Sequence, residues 1–279
     1  MRFALLLAIA TSACAQPADS PDERQRRADS NLTPAEVRVD TVVVPVGSLS
    51  VAVLTHTIPA PAGGDPAFWA VNLHDNEDTS MDAALEVAAE TGGVVVELVH
   101  TGDRNASFQV DGGRTCEADP NRMFTAAGLQ RTLDALSETP VPDACVEAMR
   151  QLADHVLTQT GLDAAEVVVT LHNNTDERYS ADSYLPGGTY ESDAEAVTVH
   201  AGSDPDDFFF VTDRDLYDAL VALDYNAVLQ DNTAATDDGS LSVWAAQNER
   251  PYVNVEAQHG HREAQAEMIR ALVSVMSGR

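Results

Sequence analysis

His74, Glu77 and His172 are of residue types that bind zinc, and their spacing suits one shared ion. His74 and Glu77 form an H-x-x-E pair, in which a two-residue gap on a turn lets an imidazole and a carboxylate converge on one metal. His172 follows the apolar run at 167–171 and supplies a second imidazole. Because catalytic zinc usually takes three protein ligands and leaves one position for water, we predict a zinc site. The alternatives for the separate segments are a solvated acidic turn and a hydrogen-bonded histidine at a strand end.

Glu256 is the candidate general base, because it follows the apolar run at 252–255. A carboxylate beside a metal-bound water can take a proton from it and later deliver that proton to a leaving amine. His259 and His261 come next in the chain and resemble a further metal pair. We expect these two histidines to lie around the site or on the surface rather than to bind the metal.

The segment 114–124 carries two arginines and an asparagine, Arg114, Asn121 and Arg122. Guanidinium and amide groups placed close together suit the recognition of a substrate carboxylate and the polarisation of a carbonyl oxygen. The alternative is a surface loop whose arginines pair with the many acidic residues of this chain.

The chain around these residues alternates between strand and helix patterns. We predict strands at 37–46, 48–56, 68–73, 94–99, 167–171 and 252–255. We predict helices at about 79–91, 126–136, 143–160, 213–223 and 262–276. Residues 102–120 are predicted to be irregular, and residues 178–207 to be mostly loop.

This alternation predicts an α/β domain with a mostly parallel or mixed sheet and helices on both faces. In such sheets, ligands bind beyond the carboxyl ends of the strands. All three predicted metal ligands and Glu256 come at, or just after, the end of a predicted strand. We therefore expect them to meet at one edge of the sheet.

The composition narrows the classes of function. The 279 residues carry a formal net charge of -29, and all 16 basic residues are arginine. A chain this acidic repels nucleic acid and anionic membrane surfaces, so we expect no nucleic-acid partner. The absence of lysine excludes Schiff-base chemistry on a lysine. Adaptation to high salt (a halophilic protein) is the favoured explanation of the charge, and recruitment of a cationic partner is the alternative.

The first 15 residues have the pattern of a signal peptide. Arg2 precedes a short apolar run at 3–10, and small residues then lead to Cys14. The residues around Cys14 resemble a bacterial lipobox, so we predict a lipid on this cysteine, with ordinary signal-peptidase cleavage as the alternative. The predicted location is therefore outside the cytoplasm, in the periplasm or at the cell surface, with attachment to the membrane through the lipid.

Residues 16–35 are polar and are predicted to form a disordered tether before a hydrolase domain at 36–279. Within that domain Cys116 and Cys145 are the only cysteines. An oxidising location permits a disulfide between them. Two buried thiols are the alternative.

Four stretches resemble motifs of the succinylglutamate desuccinylase/aspartoacylase family, a branch of the zinc carboxypeptidase superfamily. The stretches, in family order, are His74-Asp75-Asn76-Glu77 for H-G-N-E, Arg114 with Asp119-Pro120-Asn121-Arg122-Met123-Phe124 for R-x4-D-L-N-R-x-F, Leu171-His172-Asn173-Asn174-Thr175 for L-H-N-T-T, and Val255-Glu256-Ala257-Gln258 for the strand of the general base. Asp75 replaces the glycine of the first motif, and Pro120 replaces the leucine of the second.

The resemblance implies a zinc carboxypeptidase-like fold and a zinc-dependent hydrolase that cleaves an amide bond. It implies that Zn²⁺ is bound by His74, Glu77 and His172, and that Glu256 activates water. It assigns substrate binding to Arg114, Asn121 and Arg122, with Arg122 also stabilising the oxyanion. The expected substrate is a small molecule or peptide with a free carboxylate, cleaved by an N-acyl amino acid deacylase or a carboxypeptidase-like enzyme. The alternative function is a non-catalytic surface lipoprotein that binds a small carboxylate ligand.

Overall fold

The computed structural model describes residues 37–61 and 63–279. The predicted signal peptide, the lipid site at Cys14 and the predicted tether lie outside the described residues. The strands are β1 (Arg38–Val46), β2 (Leu49–Ile58), β3 (Trp69–Asn72), β4 (Gly93–Val99), β5 (Ala106–Val110), β6 (Arg114–Ala118), β7 (Val168–Asn174), β8 (Ala194–Thr198), β9 (Phe208–Val211), β10 (Ala227–Gln230) and β11 (Tyr252–Gln258). The helices are α1 (Asp78–Thr91), α2 (Ala126–Leu136), α3 (Asp143–Asp154), α4 (Arg214–Val221), α5 (Leu241–Gln247) and α6 (Arg262–Ser277).

Nine of these strands form one mixed sheet in the order β1-β2-β4-β3-β7-β11-β9-β10-β8. The central strands β4, β3, β7 and β11 run parallel to one another, which places their carboxyl ends at the same edge. Antiparallel pairing begins on either side of them, at β2 and at β9. The predicted α/β class with a mixed sheet is thus confirmed.

Helices cover both faces of the sheet because its central strands are apolar on both sides. Helices α1, α4 and α6 pack over one face, where their buried side chains form a cluster with strand residues such as Val95, Val169 and Val255. Helices α2, α3 and α5 pack over the other face, against strand residues such as Leu98 and Phe210. Continuous apolar strands are the pattern expected when a sheet is buried on both faces.

Several elements of the structure differ from the sequence-based prediction. Residues 102–120, predicted to be irregular, include the antiparallel hairpin of β5 and β6. Residues 178–207, predicted to be mostly loop, contain the edge strand β8. Strands β9 and β10 and helix α5 were not predicted, since each has only four to seven residues and too few positions to show a period.

Cys116 in β6 and Cys145 in α3 form a disulfide. The bond resolves the two alternatives that the sequence left open, and it joins the hairpin to the helix that packs beside it. Within the described ranges, no helix combines the length and the apolar composition needed to cross a membrane.

Candidate metal centre and active site

His74, Glu77 and His172 come together at the carboxyl edge of the sheet. Strands β3 and β7 are parallel neighbours, so His74, two residues beyond β3, reaches the level of His172 within β7. The Glu77 carboxylate lies 2.9 Å from Nδ1 of His74 and 2.8 Å from Nδ1 of His172, and the two Nδ1 atoms are 3.0 Å apart. We call these three residues the central group. They form one of two groups of described residues whose ligand atoms lie close enough together to share one metal ion.

The chemistry of the central group fits a divalent cation. All three side chains are buried, and isolated charges in such a place are strongly destabilised. Burial lowers the pKa of His74, but the carboxylates of Glu77 and Asp119 raise it by more, so that the resulting pKa is about 9. The surroundings of His74 therefore favour a positive charge. Burial raises the pKa of Glu77, and the two histidines more than offset this, leaving it well below its usual value. Two imidazole nitrogens and a carboxylate around a positive centre form a donor set that zinc accepts.

Asp119 orients the first of these ligands. Its Oδ1 lies 2.8 Å from Nε2 of His74, on the side of the ring away from the other two ligands. The same oxygen accepts the backbone N–H of Asn121 at 2.8 Å and so caps the short helical turn that carries Asn121 and Arg122. A carboxylate that holds the second nitrogen of a ligating histidine sets the tautomer and the ring orientation. One side chain therefore couples the candidate metal centre to the candidate substrate-binding segment.

Glu256 lies beside the central group because β11 pairs in parallel with β7 and places Glu256 opposite His172. The carboxylate is buried, and it accepts hydrogen bonds from Asn254 at 3.0 Å and from Asn174 at 3.4 Å. Burial raises the pKa of Glu256 above its ordinary value, although the nearby His172 opposes this shift. A carboxylate that faces a cavity and has a raised pKa is a better proton acceptor than an ordinary carboxylate, as a general base requires.

Asn121 and Arg122 also lie at this site. The amide of Asn121 lies 3.2 Å from Nε2 of His172, and its carbonyl oxygen accepts the backbone N–H of Leu241 at 3.1 Å. Arg122 faces the cavity, with Nε 3.3 Å from a carboxylate oxygen of Asp238. Gly239 has a φ of +85°, and a Cβ there would come within 2.3 Å of the carbonyl oxygen of Arg122. Glycine therefore lets residues 237–240 approach the arginine segment.

The structure does not bring Arg114 to this cavity, so its predicted role in substrate binding is corrected. Arg114 begins β6, and its Nη2 donates to the carbonyl oxygens of Glu138 at 3.0 Å and Pro140 at 2.8 Å. In an extended strand, the four residue-to-residue steps from Arg114 to Ala118 carry the chain roughly 13 Å before it reaches the site. Arg114 thus holds a surface turn, the alternative that the sequence had left open for this segment.

Arg104 takes a place in the cavity that the sequence did not predict. Its Nη1 donates to Oε1 of Glu77 at 2.7 Å, and its Nη2 lies 3.4 Å from Oδ2 of Asp119. The side chain is half exposed and lines the cavity, so it can reach a bound carbonyl or carboxylate oxygen. Arg104 escaped prediction because it lies between two short strands in a stretch without a periodic pattern.

Asp75, which replaces glycine in the resembling motif, supports the loop that carries Arg104. Its buried carboxylate accepts the backbone N–H groups of His100 and Gly102, both at 2.6 Å. These bonds tie the turn after β4 to the turn that bears the metal-ligand pair. The substitution therefore links the two loops on which Arg104 and Glu77 lie.

A cavity of about 690 Å³ opens over the site. At one end it is lined by Glu77, His172, Arg104, Arg122 and Glu256, and it continues away from them over β11, β9 and β10. His259 also lines the cavity, whereas His261 is exposed, and neither belongs to the central group. Of the predicted site residues, only Arg114 lies elsewhere.

No family model and no curated protein matches the sequence. Solved structures do match. Thrombin activatable fibrinolysis inhibitor (TAFI) is 11% identical, with a TM-score of 0.50 over 91% of this chain and 71% of that chain. Murein-tripeptide amidase MpaA from Escherichia coli O157 is 14% identical, with a TM-score of 0.40 over 86% of this chain and 97% of that one. Tomato leucine aminopeptidase is 11% identical, with a TM-score of 0.44, and this chain spans 59% of its length. These likenesses concern the fold alone, and the likeness to TAFI agrees with the predicted α/β fold that has helices on both faces of a mixed sheet.

Proposed function

We propose that this protein is a zinc-dependent hydrolase that cleaves an amide bond next to a free carboxylate. The observation that carries the proposal is the convergence of His74, Glu77 and His172 with the buried carboxylate of Glu256 at the wall of one cavity. A metal-binding group and a proton-transfer group on adjacent strands are the parts that hydrolysis of an amide requires.

Each residue at the site has a task in this reaction. The central group would hold zinc, which would polarise the substrate carbonyl and acidify a water molecule. Glu256 removes a proton from the attacking water and delivers it to the leaving nitrogen, so the amine departs neutral. Arg104 stands beside Glu77 and stabilises the negative charge that develops on the carbonyl oxygen.

Arg122 and Asn121 bind the substrate carboxylate in this proposal. Burial lowers the pKa of Arg122, but Asp238 and Asp119 raise it more, so the guanidinium remains charged. Nη1 of Arg122 donates to the backbone carbonyl oxygen of Asn121 at 2.7 Å, Nε faces Asp238 at 3.3 Å, and the side chain lines the cavity in which a substrate carboxylate would bind. Burying a carboxylate here without a cation would be costly, so the arginine selects substrates that carry one.

Membership of the succinylglutamate desuccinylase/aspartoacylase family is part of this proposal and rests on the sequence motifs. Arg114 lies outside the cavity, so one element of the resembling motif has a different role in this chain. The alternative function, a non-catalytic carboxylate-binding lipoprotein, needs neither a metal-binding group nor a buried Glu256. Export and lipid attachment at Cys14 are proposals that rest on the sequence pattern alone.

The test compares pairs of substrates at high salt, with zinc measured on the same preparation. Each pair consists of an N-acyl amino acid or peptide with a free C-terminal carboxylate and the same molecule with that carboxylate amidated. The free acid should be cleaved with a kcat/KM higher by about two orders of magnitude, since the amide loses the charge-assisted hydrogen bond to Arg122. Equal cleavage of the two forms would mean that the arginine does not recognise a carboxylate. Absence of hydrolysis on every free acid would remove the enzyme proposal.

A further inference from the structure

The sheet supports the metal end of β7 on one side only. Strand β3 ends at Asn72, which is paired with Leu171, so residues 172–174 of β7 extend beyond it. On the other side, β11 stays paired with β7 as far as Asn174. Among the described residues, the segment that contains His172 therefore has a neighbouring strand on one side and none on the other.

Asn173 and Gln265 are two buried amide side chains that bond to each other behind this segment, and we call them the amide brace. Gln265, in α6, is fully buried, and Asn173 is 5% exposed. Nδ2 of Asn173 donates to Oε1 of Gln265 at 2.8 Å and to the carbonyl oxygen of Ala257 at 3.2 Å. Nε2 of Gln265 donates to the carbonyl oxygens of His172 at 2.9 Å and Val255 at 3.2 Å. Each side-chain nitrogen therefore has an acceptor for both of its N–H groups.

The three carbonyl groups bonded by the amide brace belong to functional residues or to their direct neighbours. His172 is a predicted metal ligand, and Val255 and Ala257 lie on either side of Glu256 in β11. The two strands pair in register at this level, with Glu256 opposite His172. The brace thus connects α6 to the backbone of the candidate ligand and to the backbone of the candidate general base.

The same network reaches the turn that carries the other two candidate ligands. Oδ1 of Asn173 accepts the backbone N–H of Ser80, near the start of α1, at 2.9 Å. Oγ of Ser80 donates to the carbonyl oxygen of Glu77 at 2.8 Å, and Nδ2 of Asn72 donates to that oxygen at 3.1 Å. A continuous series of hydrogen bonds therefore runs from α6 through β7 to Glu77.

Packing alone does not account for amides at these two positions. The brace lies on the face of the sheet where α1 and α6 pack and where the surrounding cluster is apolar, including Val169 and Ile269. A polar group buried in such a place is costly unless its hydrogen bonds are made. An apolar side chain would fill the same volume, but it would remove these donors from the carbonyl groups of His172 and Val255. What the amides supply in addition to packing is the position of these two backbone segments.

We propose that Asn173 and Gln265 are positioning residues, which hold His172 and Glu256 at the separation that metal binding and proton transfer require. This inference rests on the proposed function and extends it to two residues that act through the ligand and the base. Loss of a group that orients a metal ligand typically lowers metal affinity or activity by about 10 to 100-fold. Substrate binding should change little, because Arg122 is held by Asn121 and Asp238 rather than by the brace.

The experiment measures zinc affinity and steady-state kinetics of Gln265→Met in the full chain. Methionine fills the volume of glutamine but donates no hydrogen bond. Titration with Zn²⁺ against a competing chelator should give a dissociation constant about 10 to 100-fold higher than that of the wild type. On a free-acid substrate, kcat should fall by about tenfold or more, whereas KM should stay within about twofold.

Gln265→Glu is the second variant, and it carries the test if the methionine variant does not fold. It keeps the shape of the side chain and the acceptor for Asn173, but a carboxyl group has at most one donor hydrogen. Its zinc affinity and kcat should therefore fall in the same direction by a smaller factor. Wild-type values for both quantities in a folded Gln265→Glu protein would count against the inference.

Met268→Ala is the matched control, because Met268 is buried in the apolar cluster on the same helix. The cavity left by this substitution should lower the melting temperature, while zinc affinity and kcat should stay close to the wild-type values. The inference is overturned if Gln265→Met lowers the melting temperature alone, or if Met268→Ala weakens zinc binding as much as Gln265→Met does. A wild-type protein that binds zinc but hydrolyses no free acid would refute the proposed function, and the zinc titrations would still decide the role of the brace. A wild-type protein that binds no zinc would overturn both.

Discussion

Two groups of described residues offer metal-ligating atoms within 4.8 Å of one another, and the fold surrounds them in opposite ways. The central group lies at the ends of buried strands and faces a cavity. Its three side chains contact one another, and His74 also contacts Asp119. The second, which we call the surface group, lies on loops beside the start of α6 and consists of Asp204, Asp207 and His261. The two groups contain equal numbers of ligand residues, so the number of donors alone does not distinguish them.

The difference lies in desolvation. In the central group, the side chains are buried, so the charge of the Glu77 carboxylate, which lies 2.8 and 2.9 Å from the two imidazoles, favours a positive charge held between the three residues. In the surface group, Nδ1 of His261 is 3.6 Å from Asp207, and the imidazole is 42% exposed. Water solvates these donors and salt screens them, so little free energy remains for an ion. We therefore expect burial, rather than composition, to decide which group binds metal.

The largest effect should come from removing one donor from each group. His172→Ala should lose most of its zinc and nearly all hydrolytic activity, because a catalytic site needs all three protein ligands. His261→Ala should keep about one zinc per chain, the wild-type value expected for one catalytic site. Metal analysis of the dialysed proteins measures both. Full zinc retention in the His172 variant would remove that residue from the ligand set.

The next effect should come from the carboxylates. Glu256→Gln should keep its zinc and its fold but lose activity by about 10² to 10⁴-fold, because the amide cannot accept a proton. Asp204→Asn is the control from the surface group and should turn over substrate at close to the wild-type rate. Steady-state kinetics with parallel metal analysis checks the pair. Turnover of the Glu256 variant within a few-fold of wild type would mean that another group transfers the proton.

A smaller effect should separate the two arginines. Arg104→Lys should lower kcat/KM by roughly tenfold to 10²-fold, since a lysine cannot span Glu77 and the substrate oxygen as a guanidinium does. Arg114→Lys should leave kcat/KM within about twofold, because Arg114 contacts only carbonyl groups and Glu138 near the surface. A loss as large in the Arg114 variant would restore the sequence-based prediction and contradict the position of that side chain.

The smallest effect should be a shift of melting temperature with salt. This shift tests whether exposed carboxylates, unlike the buried ones of the central group, are screened by salt. With a net charge of -29, repulsion among exposed carboxylates destabilises the fold at low ionic strength. Molar salt screens these charges, so the melting temperature should rise by several degrees or more relative to dilute buffer. Calorimetry at a series of salt concentrations measures it. A flat or falling trend would contradict the halophilic interpretation and favour a cationic partner.

The sequence predicted the parts of the site that lie on buried parallel strands. His172 and Glu256 each follow an apolar run, and the rule that ligands gather at the carboxyl ends of such strands placed them at one edge. The H-x-x-E spacing predicted that His74 and Glu77 share a target. The structure brings these four side chains together, which a local pattern and a topological rule can predict, while their roles in metal binding and proton transfer stay predictions.

The sequence did not predict which side chains from other parts of the chain join the four predicted residues at the cavity. Arg104 lies in a stretch without periodicity, just before a hairpin that gave no strand signal, and it lines the cavity. Arg114 was assigned to the substrate because a motif spacing resembles that of a family, whereas the direction of its side chain depends on the contacts of β6. Only the tertiary structure decided which of the two arginines faces the cavity.

The sequence by itself therefore determined the α/β class, the acidic composition and the residues that are candidates for metal binding and proton transfer. Each of these follows from composition, from hydrophobic runs or from donor types at short spacing. The tertiary structure decided the disulfide, the exclusion of Arg114 and the entry of Arg104. The physical reason is that these features depend on packing between segments far apart in the chain, and packing is set by the whole fold rather than by local pattern.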